Sequence, residues 1–341
     1  MELIYKKTAD GVTTEGFLRN YEADFDITTG TESPTNDFEI IMPLPQSASD
    51  MLYLENQITT IVYVEGTEFG GIISGYNIDI AESTIIYTGR TWRGLLSQYI
   101  IEPPAGQDYR IVAAGTNLAT ALRALPMHSL ISIQNTQYTS GNSQFKYNRY
   151  ITVHEGVTSL LKSSDESLRL KFVYDEMVGK ALLSIEPTAD RTDLIDISQD
   201  YDERVKLSIA RDGNTPKHVI CLGAGELAQR EVIHLYADDN WNISTTPIAG
   251  AYPVEIYEYS GSGNLQTDGI KHYKELIGNH EQLDVKIDGL DINLSDIIAA
   301  RDTVTGESVT AEVTNIIWKC ADMGTYQTES FEYQTKVRSI L

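Results

Sequence analysis

The chain has 341 residues with 26 basic and 49 acidic side chains, a formal charge of −23, and that balance argues against binding to phosphate backbones or anionic lipid surfaces. Its length exceeds what one hydrophobic core usually fills, so two or three domains are expected, and 20 tyrosines against 7 phenylalanines favour strand faces on which a ring is buried while its hydroxyl stays wet. No run reaches the roughly 18 apolar residues needed to cross a bilayer, and MELIYKKTADG lacks the apolar core of a secretory signal, so synthesis and folding in a cytoplasm are expected.

From Met1 to about Pro104 the predicted elements are short strands: MELIYKK, EGFLRN, EADFDITT, DFEIIMP, TTIVYVEG, FGGIISGYNIDI and STIIYTGR, separated by Gly, Pro, Asn and Asp turn signals. This spacing predicts a sandwich or small barrel. The region ends in GRTWRGLLSQYIIEPP, where Leu95, Leu96, Tyr99 and Ile100 are spaced as on a short helix and Pro103-Pro104 stops it. Residues 105–200 read as mixed α+β. GTNLATALRALP offers Thr116 as an N-cap with Leu118, Leu122 and Leu125 on one face, and VHEGVTSLLKSSD repeats the pattern with Val157, Leu160 and Leu161. The strands SLRLKFVYD and KALLSIEP follow.

Strands return at RVKLSIA and KHVICL, pass through GAGELAQREVIHLYADD and meet a low-complexity turn at YSGSGNLQ. TDGIKHYKELIGNH predicts a helix capped by Thr267, with an apolar stripe of Ile270, Tyr273 and Ile277 that must be covered, and the 105–200 region is the expected cover. The most regular β pattern comes last, in LDVKIDGLDINLSDIIAARDTVTGESVTAEVTNIIWK. Its apolar set moves from odd positions (Val309, Ala311, Val313) to even ones (Ile316, Trp318, Cys320), which predicts a β-bulge near Thr314 or Asn315. The fold class is mainly β with α+β insertions.

Chemistry-bearing patterns are weak. Cys221 and Cys320 are too few for a disulfide scaffold or a four-thiolate zinc site and read as buried thiols. The six histidines (His128, His154, His218, His234, His272, His280) show no ligand spacing. Gly223, Gly225 and Ala228 in CLGAGELA satisfy G-x-G-x-x-A after a strand, but REVIHLYADD reads as another strand, so a tight glycine turn is expected in place of a dinucleotide loop. The acid pairs Asp238/Asp239 and Asp284/Asp288 read as solvated faces, DGLDIN lacks the ligand set of a calcium loop, and no nucleophile signature occurs. No catalytic, cofactor-binding or metal residue is assigned, and no cofactor is expected.

Three segments, IIYTGRTWRGLLSQYIIEPP, NTPKHVICLGAGELAQREVIHLYAD and LDINLSDIIAARDTVTGESVTAEVTNIIWK, resemble in order and spacing the baseplate hub proteins of long-tailed bacteriophages. More narrowly they are similar to the structural N-terminal module of siphophage tail-associated lysins (Tal proteins). The match spans nearly the whole chain. Most relatives carry a glycine-aspartate pair before the RDxxTG turn; here Ser295 stands in the glycine's place and Asp296 is kept.

The resemblance implies a homotrimer in which each subunit gives two similar antiparallel β-barrels to a central pseudo-six-fold ring around the DNA channel. Residues 1–104 would form the first hub barrel, 105–200 with 226–281 an outer α+β domain, and 201–225 with 282–341 a second, discontinuous barrel. The implied partners are a distal tail protein or tail-tube ring, the tape-measure protein and a tail-tip fibre or lysin, at the virion tail tip, with DNA passing unbound. Many relatives carry a peptidoglycan hydrolase after the hub; this chain stops about ten residues after FEYQTKV begins, so no lysin domain and no enzymatic activity are expected. The alternatives are a virion-associated cell-wall hydrolase using a carboxylate pair, and a saccharide-binding receptor module using the interleaved tyrosines.

Overall fold

Turn chemistry sets the first hairpin. Asp10 and Gly11 adopt φ of 50° and 75°, the left-handed pair of a two-residue hairpin turn, and they join β1 (Ile4–Ala9) to β2 (Val12–Phe17) in the register Ala9↔Val12 to Ile4↔Phe17. The strands β3 (Tyr21–Thr28), β4 (Asp37–Pro43), β5 (Ile58–Tyr63), β6 (Gly70–Asp79) and β7 (Thr84–Thr91) follow. The computed structural model describes residues 1–30, 36–164, 166–192, 196–197, 206–211, 213–259, 264–278, 281–286, 292–301, 308–324 and 326–337. They fall into two units, one of Met1–Ala189, Ile287–Asp296 and Thr314–Tyr333, the other of Asp190–Lys286, Ile297–Val313 and Gln334–Leu341.

In the first unit the strands are ordered β3-β4-β7-β6-β5-β1-β2, with residues 315–322 of the strand Ser308–Asp322 paired antiparallel outside β3. Alternation in β3, β4 and β7 buries Phe25, Ile27, Phe38, Ile40, Ile85 and Tyr87 on one face. Phe25 stacks on Phe38 at 4.8 Å and meets Trp318 at 5.5 Å. Each such large side chain removed from water contributes about 1.5–3 kcal/mol. Among the described residues no sheet closes on itself. The terminal strand β2 is almost wholly exposed, because VTTEGF offers no alternating apolar set to bury.

Residues 94–189 add α1 (Leu118–Arg123), α2 (Val153–Lys162) and a three-stranded sheet of Ile131–Ile133, Lys180–Pro187 and Leu168–Asp175. Leu118, Leu122, Val157, Leu160, Phe172 and Leu183 share one core with Tyr63, Trp92, Leu95 and Leu96. The cap of α1 is Asn117, whose side chain accepts from Thr120 N at 3.2 Å; the expected Thr116 turns its hydroxyl onto Ala113 O instead. Thr152 caps α2, accepting from Glu155 N at 3.1 Å.

In the second unit Lys206–Arg211 pairs antiparallel with Glu281–Lys286 in the register Leu207↔Val285, so the strands flanking the excursion 212–280 are neighbours. The excursion is a four-stranded sheet ordered Ile243–Ser244, Val232–Ala237, His218–Leu222, Val254–Glu258, with α3 (Leu265–Gly278) packed on one face. Two findings differ from the sequence expectation. KHVICL is an inner strand of this sheet, whereas the sequence expectation grouped it with RVKLSIA. The stripe of α3 is covered here too, Tyr273 and Ile277 packing with Val219, Cys221 and Leu235. Gly269 explains the close seat of α3, since a Cβ there would lie 2.5 Å from Cys221 Sγ. The cap is Asn264, whose Oδ1 accepts from Thr267 N at 3.0 Å, in place of the expected Thr267.

The phase slip in the last segment is present: Ala311 and Val313 are buried, then Ile316, Trp318 and Cys320. The register against β3 runs unbroken from Asn315↔Thr28 to Asp322↔Tyr21, so no bulge interrupts that ladder. The slip falls where the strand changes neighbours, residues 308–312 pairing with Ile297–Arg301 and residues 315–322 with β3. The central residues of YSGSGNLQ, DGLDIN and RDTVTGES lie outside the described residues.

Candidate functional site

The motif GRTWRG is a clamp. Thr91 Oγ1 donates to Asn36 O at 2.9 Å, Trp92 is fully buried, and a Cβ on Gly94 would lie 2.1 Å from Asn36 O. Arg93 Nη2 donates to Glu68 Oε1 at 2.6 Å and to Leu170 O at 2.9 Å, and the guanidinium covers the Phe172 ring. Burial pushes the Glu68 carboxyl up against the opposing pull of Arg93. The second clamp is Asp296, fully buried, whose carboxylate accepts from Arg169, from Ala189 N at 3.1 Å and from Asn293 N at 3.0 Å. Ser295 beside it has φ of 64°, the left-handed region that favours glycine. The residues that carry the resemblance are thus architectural.

The chemistry of the first unit lies on the outer face of β3, β4 and β7. The alternation that buries Phe25 and Phe38 turns Glu22, Asp24, Asp26 and Glu39 the other way. Cross-strand register then assembles them: Asp24 stands opposite Glu39 and Glu22 opposite Ile41, while Asp37 faces Arg90 on β7. Asp24, Asp26, Asp37 and Glu39 line a shallow cavity of about 450 Å³ together with Arg90, Thr88 and Ile317. Lys319 lies 3.7 Å from Asp24 and 3.4 Å from Glu332.

Like charges directly across a sheet destabilise it, and the carboxyls register that cost. Asp26 is pushed up to about 6, by burial first and then by Asp37 and Asp24, and Asp24 is also raised by burial despite Lys319. Oδ1 of Asp26 is buried with no hydrogen-bond partner. Sequence reading missed this face, although the acids at alternate positions in EADFD and DFE were a visible signal.

The residues singled out from sequence do not converge. Gly223 and Gly225 lie in the connection from His218–Leu222 to the antiparallel strand Val232–Ala237; Glu231 N donates to Ala224 O and Gly223 N to Glu231 O, and Gly225 has φ of 98°. Ala228 sits in the one-turn 3-10 segment Leu227–Gln229 of that connection. Asp238 accepts from the side chain and backbone of Asn242 and from the backbone of Asn240 in a turn, which lowers its carboxyl, and Asp239 is exposed. Asp288 and His280, and the side chain of Asp284, lie outside the described residues.

Cys221 and Cys320 are buried free thiols, Cys320 pushed up to about 12 by burial. His154 is buried in α2, where desolvation and nearby Arg93 lower it to about 3. His272 meets Glu255 at 2.9 Å and stacks on Tyr257, His128 lies edge-on to Tyr99, and His218 meets His234. Among the described residues no three His, Cys, Asp or Glu side chains are placed to hold a metal ion.

No family model matches the chain, and no curated protein matches it in sequence. Solved structures do. The 43 kDa tail protein of prophage MuSo2 from Shewanella oneidensis aligns over 99% of this chain and 99% of its own, with TM-score 0.61 at 14% identity. The tail protein from Neisseria meningitidis MC58 aligns over 100% of this chain and 98% of its own, with TM-score 0.57 at 14% identity. Prophage tail protein gp18 from Listeria monocytogenes EGD-e aligns over 100% and 96%, with TM-score 0.51 at 10% identity. The chain therefore has the fold of phage and prophage tail proteins, along essentially its full length.

Proposed function

We propose that the chain is a structural hub protein of a phage or prophage tail, corresponding to the N-terminal module of tail-associated lysins and without enzymatic activity of its own. The observation that carries this reading is the end-to-end likeness to the tail proteins of Shewanella and Neisseria, which leaves no part of either chain outside the alignment larger than a few residues. Three copies form a ring at the tail tip, joining the tail tube or distal tail protein to the tip and contacting the tape-measure protein and a fibre or lysin. Each copy gives two ring-forming β regions, 1–104 and the β structure of 201–225 with 282–341 from which the strand His218–Leu222 is excluded. Residues 105–200 and 226–281 form the outer α+β part.

The carboxylate face of β3, β4 and β7 lines the channel in this reading. Wall carboxylates and DNA phosphates repel within a Debye length of about 10 Å, so a genome slides past without the counterion release that a basic wall would produce on binding. The face is retained at a cost in stability, as residues kept for function often are.

Gold-labelled antibody against the chain, applied to tail particles from a strain encoding it, should mark one end of each tail. Labelling along the shaft, or of capsids, contradicts the reading. Release of muropeptides from peptidoglycan by the purified chain would favour the hydrolase alternative.

A further inference from the structure

Two histidine rings meet on the outer face of the four-stranded sheet. His218 stands opposite Tyr236 and His234 opposite Ile220 on the antiparallel pair His218–Leu222 and Val232–Ala237, which makes the two histidines diagonal neighbours. Val219, Cys221 and Leu235 point to α3, so both imidazoles leave on the other side. His218 Nε2 lies 2.9 Å from His234 Nδ1, the rings are inclined by 26°, and Tyr236 stacks on His218 at 4.3 Å. A hydrogen bond between neutral imidazoles uses one N–H and one lone pair. With that N–H moved to the far nitrogen of its ring, the two rings present lone pairs that face each other across the contact.

We propose that His218 and His234 form a two-imidazole chelate for a borderline divalent transition-metal ion, with the remaining coordination positions open to the outside. Two nitrogens bound tetrahedrally at about 2.05 Å stand about 3.3 Å apart, so the pair has to open a few tenths of an ångström from its 2.9 Å separation and the rings have to tilt until their lone pairs converge on the ion. His234 is exposed and free to make most of that movement, while the Tyr236 stack keeps His218 Nε2 turned toward it. Neutral imidazoles select copper, nickel or zinc and give nothing to the hard ions calcium and magnesium, and copper should bind most tightly.

The face around the pair is apolar: Val254 pairs with His218 and Ile256 with Ile220, and Val232, Val254 and Ile256 are exposed. The other positions on the ion are therefore filled by water or by a group from a second molecule. The separation of 16 positions between the ligands explains why a search for short ligand spacings passes over them.

The test is calorimetric titration of the tag-free chain with Cu²⁺, Ni²⁺ and Zn²⁺ chlorides, each alone, in a non-coordinating buffer, with long-range ¹H–¹⁵N spectra of the imidazoles. One ion should bind per chain, and zinc should shift His218 Nε2 and His234 Nδ1. His218→Gln and His234→Gln should each weaken binding at least tenfold, whereas His272→Gln leaves it unchanged; circular dichroism confirms that the variants stay folded. Undiminished affinity in both Gln variants, or no binding by the wild-type chain at millimolar ion, overturns the proposal.

Discussion

Replacing Asp26 with asparagine should stabilise the first unit at neutral pH, and the gain should disappear in acid. The native carboxyl is raised to about 6 by burial and by Asp37 and Asp24, whereas in the unfolded chain it titrates near the ordinary value of about 3.9. Between those two values the native state binds more protons than the unfolded state, so this group's contribution to stability falls as pH rises from about 4 to about 6. A shift of about two units is roughly 3 kcal/mol at most. Asp26 is only partly buried, and screening reduces the figure to about 1–2 kcal/mol. Asparagine keeps the shape, removes the charge and can offer a donor to neighbouring carboxylates. Urea unfolding of both proteins at pH 8, 7, 5 and 4 checks this: the difference should be about 1–2 kcal/mol in favour of Asp26→Asn at pH 8 and near zero at pH 4. A variant less stable than wild type at pH 8, or a difference that does not change with pH, refutes the reading of this face as electrostatically strained.

Other outcomes follow from the clamps and the core. Asp296→Ala should cost about 3–5 kcal/mol by leaving buried Arg169 with only the longer pair to Glu186 at 3.5 Å and by stripping two backbone N–H groups of their acceptor; an Arg169→Met, Asp296→Ala double mutant recovers only part, because Ala189 N and Asn293 N still lack that acceptor. Ser295→Gly should stabilise by up to about 1 kcal/mol, since serine at φ of 64° is strained, and thermal melts will read it. His154 is lowered to about 3, so the unfolded chain binds more protons below about 6.5 and stability is lost as pH falls from there toward 3. His154→Leu should remove that loss, seen as a flatter acid limb in stability against pH. Gly71→Ala should destabilise by about 3 kcal/mol or more, because its Cβ would meet Arg90 O at 2.0 Å, and equilibrium unfolding measures it.

Local pattern made much of the first unit legible. The alternation in EADFDITT and DFEIIMP gave β3 and β4 with the correct face buried, and Leu118, Leu122, Val157 and Leu160 are in the core as their spacing requires. Both missed caps are near misses. Asn117 and Asn264 take the place of Thr116 and Thr267, and only backbone geometry decides which short polar side chain reaches the free N–H. KHVICL was legible as a strand but not as a member of its sheet, because its neighbours Val232–Ala237 and Val254–Glu258 are fixed by long-range pairing. Long-range register hid the carboxylate face and the histidine pair in the same way. Asp24 meets Glu39 across strands, and His218 meets His234 across a hairpin whose glycine turn is legible in the sequence but whose register is not.

The ring is the central claim, and particle mass with imaging tests it most directly. Sedimentation velocity of the purified chain across a concentration series, followed by negative-stain imaging of the heaviest species, should give a particle of 3 × 38.0 kDa, or 114 kDa, with three-fold symmetry and a central opening. A chain that remains at 38.0 kDa at the highest concentration and shows no three-fold ring in tail particles that contain it would contradict the hub assignment.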